Sequence, residues 1–480
     1  MDINPKGSDT SHNLSESIHT FHHLNPDSRE SHDVIPIENQ AKAYKKLSEL
    51  EEAKIAKGPS IFNSTFTLTN MCLGTTIFTL AIRAKSFGLV WILVACFFVA
   101  LINYWSLSRC CIASSTVKED DYSSITEKIL GKKANIILNI FIILFSYAYL
   151  MCFLALVYAL FGRFIQSVKY SDTYTNYADF QKAFWGQPHV KFPFYIGIGF
   201  ILSIVCLNKD IGKLKYTSYV SVTAVTYTLL VVAFQCPSYY QYFKENKYNE
   251  NDKNTHPNWT DLGKAFTKEF DFFKGMACLY GAYACHVGVF PIFSGFKPIE
   301  NGLKKMKITI ACSTALITFL HFLSIICSFL TEPIDPEDLI IYRKDKDNGK
   351  DIPMTISKLF ITFSLMCATP SAYFGLRLSI ANSFTKGIIT KKFNYILTFA
   401  SIYGCALVAS IYDKVLNYLS YVGGFISVFV CYLYPILLYI YSSGKPITYW
   451  KNLLELLLAI ILCCIGIIAG IATIIDDVKG

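Results

Sequence analysis

An all-α integral membrane fold of about eleven spans is what this sequence predicts, and three observations carry the prediction. Of its 480 residues, 53% are hydrophobic and only 16% are charged, whereas a soluble domain holds charge nearer a quarter of its residues. Apolar runs of roughly 20 residues, the length that crosses ~30 Å of hydrocarbon, follow one another from residue 61 almost to the last residue. The cations cluster between those runs, which is the orientation signal of a membrane protein. That placement sets nucleic acid aside as the partner of the +9 net charge and makes membrane lipid the surroundings.

Residues 1–60 read as a cytosolic tail, mostly disordered. The first forty are rich in Ser, Asn, Asp and His and cannot bury enough surface to fold alone. His12, His19, His22, His23 and His32 belong to this solvated stretch rather than to a metal site. Residues 41–57 place Tyr44, Leu47 and Leu50 on one stripe among charges, the pattern of an amphipathic helix lying on a membrane or on the inner face of the bundle. No early apolar core precedes a small-residue cleavage site, so no removable signal peptide is expected.

A transmembrane domain over 61–475 follows. Its spans are expected at 61–82, 87–110, 134–166, 192–207, 214–235, 272–294, 308–331, 354–383, 393–411, 416–441 and 451–475. One set of connectors is short and basic, as in Lys209/Lys213/Lys215 and Lys386/Lys391/Lys392. The other is longer or acidic, as in 332–353. The positive-inside rule puts the basic set and the N-terminus in the cytosol. Residues 236–271 then form an extracytosolic loop, and Asn258-Trp259-Thr260 within it is a glycosylation candidate. Spacing suggests two halves, repeat one at 61–235 and repeat two at 272–441, with an extra helix at 451–475. Five spans is an odd number, so two such halves in series lie inverted with respect to each other. The sixteen Cys fall almost entirely inside apolar runs, where they act as small hydrophobes; no CxxC or Cys/His spacing suggests a metal, and no cofactor is expected.

The first span carries the clearest chemistry. Asn70, Gly74, Thr75 and Thr76 lie near its middle, and polar groups in hydrocarbon are costly unless they pack against protein or line a cavity. Two readings stand side by side: a close packing face, or an unwound stretch whose freed N–H groups hold a carboxylate and whose freed carbonyls hold a cation. The sixth span is interrupted in the same way by Gly281, Gly288 and Pro291. Two Gly/Pro-interrupted spans in matching positions point to a midplane substrate site.

NMCLGTTIFTL in the first span and AYACHVGVFPIF in the sixth resemble signatures of the amino acid/auxin permease family. DYSSITEKILGKK, KDIGKLKYTSYVSV, TPSAYFGLRLSI and, more loosely, GGFISVFVCYLYP follow in the family's order. The likeness covers about residues 61–475 and is nearest to the sodium-coupled neutral amino acid transporter branch. It implies a LeuT-type 5+5 inverted repeat plus an eleventh helix, and a secondary active or facilitative transporter of amino acids working by alternating access. It also implies that the backbone around Leu73–Thr76 holds the substrate carboxylate, and that Asn70 and Thr369 approach a co-transported cation, Na⁺ or H⁺. Ala81 and Thr76 depart from the family pattern, which bears on substrate size and on the coupling ion.

Other residues carry competing readings. Tyr280 and Tyr283 share one helix face and either gate the substrate or pack. His286, in an apolar span, is a structural His or a proton-coupling group. Arg377, near the inner end of the eighth span, reads as a cation snorkelling to the interface. Gly466 and Gly470 form a GxxxG that offers a helix contact, including one between copies. An enzyme is not expected, since GxSxG, HExxH and Walker-type motifs are missing from the sequence. The alternative to transport is an amino acid-sensing transceptor with little flux. The choice of amino acid, and of plasma or internal membrane, is not written in these residues.

Overall fold

The structure is a computed structural model that describes residues 59–73, 76–171, 173, 177–207, 214–246, 271–297, 301–331, 339–343, 351–385, 387–412 and 422–479. The expected tail helix at 41–57, Gly74, Thr75 and Asn258 lie outside these residues. Among the described residues, ten stretches are long and apolar enough to cross a membrane. The first span adds one more crossing as two short helices, α1 (Ile61–Cys72) and α2 (Thr76–Phe87), neither sufficient alone. Leu73 ends α1 with φ −72° and ψ 75°, outside the helical region, while its amide still closes onto Thr69 O at 2.8 Å.

The second span is α3 (Leu89–Val117). A short helix, α4 (Tyr122–Leu130), leads into the third, α5 (Lys132–Lys169). Asp121 caps α4 by accepting from the Ser123 amide at 2.9 Å, and Gly131, with φ 86°, stops it. A brief helical turn, α6 (Tyr177–Phe180), precedes the fourth span, α7 (Pro188–Cys206). The fifth is α8 (Leu214–Asn246), which continues past residue 235 into the segment expected to be loop. The sixth span is again two helices, α9 (Asp271–Ala282) and α10 (His286–Phe296), joined by the non-helical Tyr283–Cys285. Then come α11 (Gly302–Thr331), α12 (Ile352–Thr385) and α13 (Lys391–Ile411). The tenth span runs from π-helical turns at Val422–Ile426 and Phe429–Leu433 into α14 (Tyr434–Ser442), and α15 (Trp450–Lys479) completes the chain.

Packing follows position within each half. The third span lies along the eighth (α5 with α12), the fourth along the ninth (α7 with α13), the second along the seventh (α3 with α11), and the two broken spans touch each other. Partnership between equivalent members is what two halves related by a two-fold axis in the membrane plane produce. The fifth span, α8, fills the angle between α1, α11 and α12. Outward faces keep large apolar side chains such as Phe98, Phe200, Leu407 and Leu454 exposed, as lipid requires.

One expectation is corrected here, and one helix contact is located. Arg377 does not snorkel: it is buried, and its Nη1 donates to Cys206 O at 3.2 Å and to Asn394 Oδ1 at 3.4 Å. Helix α12 continues to Thr385, two turns beyond it, so its side chain meets the end of α7 and the start of α13 instead of the interface. The Gly466/Gly470 pair is used inside the chain. A Cβ on Gly424 would stand 2.8 Å from both Gly466 O and Gly470 N, and a Cβ on Gly466 would overlap Val428. The seam therefore joins α15 to the tenth span. Gly466→Leu should lower the thermal unfolding temperature in detergent with no change in particle mass, whereas a dimer seam would show a mass halved.

Candidate functional site

The two breaks meet at the centre of the bundle. Cys72, the last residue of α1, places its Sγ 3.8 Å from Tyr283 O in the break of the sixth span. Met71 fills the space above Gly288 so closely that a Cβ there would overlap its Sδ. From the third span, the Tyr149 hydroxyl donates to Gly281 O at 2.8 Å, satisfying one carbonyl that the end of α9 frees. Helices α2 and α10 both begin at these breaks, so their unsatisfied N–H groups and the positive ends of their dipoles face the same region.

A cavity of about 80 Å³ lies there. Asn70, Met71 and Leu73 line it from the first span, and Phe145, Ser146, Tyr149 and Phe153 from α5. Ala284, Cys285, Val287, Gly288 and Pro291 come from the sixth span, and Ala368, Ser371, Ala372, Phe374 and Gly375 from α12. None of these side chains is charged. A second cavity of about 20 Å³ shares Val287, Pro291, Phe374 and Gly375 with the first and leads to Asp121 and Asn382 at one end of the molecule.

Of the residues picked from sequence, Asn70 and Leu73 line the cavity. Thr76 opens α2 and is buried; its carbonyl accepts from Thr79 Oγ1 at 2.8 Å. Asn70 Nδ2 donates to Ser218 Oγ on α8 at 3.3 Å, and its Oδ1 is buried without a hydrogen-bond partner among the described residues. An uncommitted buried oxygen of this kind suits a cation. Thr369 is fully buried beside cavity-lining Ala368, and its hydroxyl donates to Leu365 O at 2.8 Å. Ser221 and Ser364 join α8 to α12, with their hydroxyls 2.5 Å apart.

Three picks sit elsewhere. Tyr280 packs edge-on against Tyr432, with ring centroids 5.2 Å apart. The Tyr283 hydroxyl lies 2.9 Å from Thr318 Oγ1. His286 Nε2 lies 3.1 Å from Ser106 Oγ on α3. All three face away from the cavity, toward the second, seventh and tenth spans, because the sixth span shows the cavity only Ala284, Cys285, Val287, Gly288 and Pro291. The aromatic wall is instead supplied by Phe145, Tyr149 and Phe153 of α5. Sequence reasoning passed over these because α5 is apolar all round. Its only signal was unusual length.

The family described as transmembrane amino acid transporter protein matches residues 57–476. No curated protein matches the sequence. Among solved structures, the chain is similar to Mhp1, a nucleobase-cation-symport-1 family transporter, in a closed conformation with bromovinylhydantoin bound. Identity is 11%, the TM-score is 0.49, and the match covers 86% of this chain and 91% of that one.

Proposed function

We propose that this chain, which belongs to the transmembrane amino acid transporter protein family, carries neutral amino acids across a membrane by alternating access. The observation that carries the reading is an uncharged cavity set between two helix breaks. A zwitterion needs a partner for each charge, and the breaks offer both. The N-terminal ends of α2 and α10 accept the carboxylate, and the freed carbonyls at the ends of α1 and α9 accept the ammonium. What remains of the substrate meets Phe145, Tyr149, Phe153, Val287 and Ala372, an apolar wall with no counter-charge. A cationic or anionic side chain placed there would be desolvated without compensation.

Asn70 Oδ1, beside Ser218, offers a neutral oxygen for a co-transported Na⁺, with the Thr369 hydroxyl of α12 as a further candidate oxygen, since neutral oxygens suit a hard monovalent cation. His286 faces α3 rather than the cavity, which favours Na⁺ or uncoupled transport over proton coupling. With the basic connectors cytosolic, Asp121 and Asn382 mark the cytosolic end, and the smaller cavity is the route to it.

The test is uptake into proteoliposomes of neutral, cationic and anionic amino acids, with Na⁺ and pH varied independently. Uptake confined to neutral amino acids, with Thr369→Ala weakening apparent Na⁺ affinity and leaving the pH profile in place, is the expected result. Preference for a charged amino acid would remove the neutral reading. Binding without counterflow would replace transport by sensing.

A further inference from the structure

Serine inside a helix commonly turns its hydroxyl back onto the carbonyl one turn earlier. The third and eighth spans follow this habit along most of their length. On α5, Ser167 Oγ donates to Arg163 O at 2.9 Å; on α12, Ser357 donates to Pro353 O at 3.0 Å and Ser383 to Ser379 O at 2.8 Å. Ser146 of α5 and Ser371 of α12 depart from it. Both line the central cavity, and neither hydroxyl has a hydrogen-bond partner among the described residues. Ser146 is 3% exposed, so the cavity is the space its hydroxyl has to face. A Cβ on Gly375 would lie 3.5 Å from Ser146 Oγ, and Ser371 stands one helical turn before Gly375 on the same face. The two serines therefore open onto the cleft between α5 and α12. The other hydroxyl in the lining, that of Tyr149, is committed to Gly281 O.

We infer that Ser146 and Ser371 determine specificity by hydrogen-bonding the substrate's side chain, and that the substrates are neutral amino acids bearing a hydroxyl or a carboxamide. The inference rests on the transport reading above and narrows it. With carboxylate and ammonium held at the helix breaks, the side chain is the part left to lie between α5 and α12. A serine hydroxyl offers one donor and two lone pairs, which suits a group that both donates and accepts. Alcohols and carboxamides do both. An aliphatic side chain does neither, and a charged one meets no opposite charge in this lining. Phe145, Phe153 and Ala372 accommodate the carbon atoms of any of them. Apolar contact alone would therefore not separate threonine from valine, which have nearly the same shape. The two hydroxyls separate them, because a site built to hydrogen-bond its ligand leaves its own polar atoms unpaired when the ligand lacks the matching group. Valine in the cleft would cut both serines off from water and give them nothing in return.

Threonine against valine, and serine against alanine, are the matched probes. Purified full-length protein is titrated with each amino acid in detergent, and binding is read from the rise in unfolding temperature. Uptake and competition are then measured in proteoliposomes. Threonine should bind and compete roughly tenfold better than valine, the worth of about one well-made hydrogen bond. Ser146→Ala and Ser371→Ala should each lower that ratio, and the double variant should abolish the preference. The loss should fall on threonine while valine affinity holds or rises; a merely structural role would weaken both alike. Equal affinity for threonine and valine in the wild-type protein would overturn the inference with no variant needed. A threonine preference that survives in the double variant would overturn the assignment to these serines. Preferential binding without uptake would uphold the serines and count against transport. If no amino acid binds at all, both readings fall together.

Discussion

Gly288→Val should abolish uptake while the protein still folds and reaches its membrane. A Cβ at this position would overlap Met71 Sδ, with Met71 Cε at 3.0 Å, and both residues line the central cavity. Two relaxations are open. Met71 is unbranched and can swing aside, but the space beside it is the cavity, and about 80 Å³ leaves no room for both a thioether and a substrate. Otherwise α10 draws back from α1, and the breaks no longer meet. Each outcome removes the binding geometry. Overpacking of this kind costs about 1–3 kcal/mol, which a bundle of eleven spans absorbs, so the loss should appear in uptake far more than in thermal unfolding. Gly197 is the control. It is exposed on α7 with nothing within 4 Å of an added Cβ, so Gly197→Val should transport normally. Normal uptake by Gly288→Val would show that the cavity is not on the substrate's route.

The spans were legible because a membrane imposes their length, and the two breaks were legible because Gly and Pro interrupt apolar runs at matching places. Which face of each span looks inward was far less legible. In a soluble helix, polar residues mark the outside. Here lipid and core are both apolar, so α5 carries no stripe that singles out Phe145, Tyr149 and Phe153. The same ambiguity leaves Tyr280 and Tyr283 readable as gate or as packing, and His286 as a proton-coupling or a structural group. Ser218 and Ser364 went unnoticed because serine in an apolar helix commonly bonds its own backbone; only the tertiary structure shows them bridging between spans. The short helix α4 had its signals in plain view, a capping Asp121 and a terminating Gly131. They lie in a polar stretch between two apolar runs, where hydropathy carries no helix signal. Arg377 was misjudged through a boundary, since α12 outlasts its apolar run.

The buried pair Arg343–Asp351 should dominate stability outside the spans. Arg343 Nη2 donates to Asp351 Oδ2 at 3.0 Å, and the side chains are 0% and 7% exposed. Gln235 donates to Asp351 Oδ1 at 2.9 Å and Tyr239 to Oδ2 at 3.0 Å, while the Arg343 guanidinium lies 3.8 Å above the Tyr239 ring. Burial works against the Asp351 carboxylate, yet donation from Gln235, the Met354 amide and Tyr239, together with the Arg343 charge, holds its pKa below the ordinary carboxylate value. The cluster ties the end of α8 to the start of α12. It also pins the turn at Ile340–Tyr342, whose Ile340 and Ile341 are buried and which packs on α2. Asp351→Ala leaves the buried guanidinium the neutral Gln235 Oε1 and the Tyr239 ring but no opposite charge among the described residues, and breaking such a pair costs about 3–5 kcal/mol. Arg343→Ala should cost less, because Asp351 keeps Gln235, Tyr239 and the Met354 amide as donors. Arg343→Met combined with Asp351→Leu should recover much of the loss, since apolar replacements of similar size leave no charge uncompensated. The pH dependence has a definite sign. A carboxylate with a depressed folded pKa contributes stability above its unfolded pKa of about 3.9 and loses it as pH falls through the folded value. Wild-type protein should therefore show an acid-induced drop in thermal stability that the Met/Leu double variant lacks. Thermal unfolding of the four proteins in detergent, between neutral and acidic pH, measures all of this, and equal losses in both single variants with no recovery in the double would remove the pair from its proposed place.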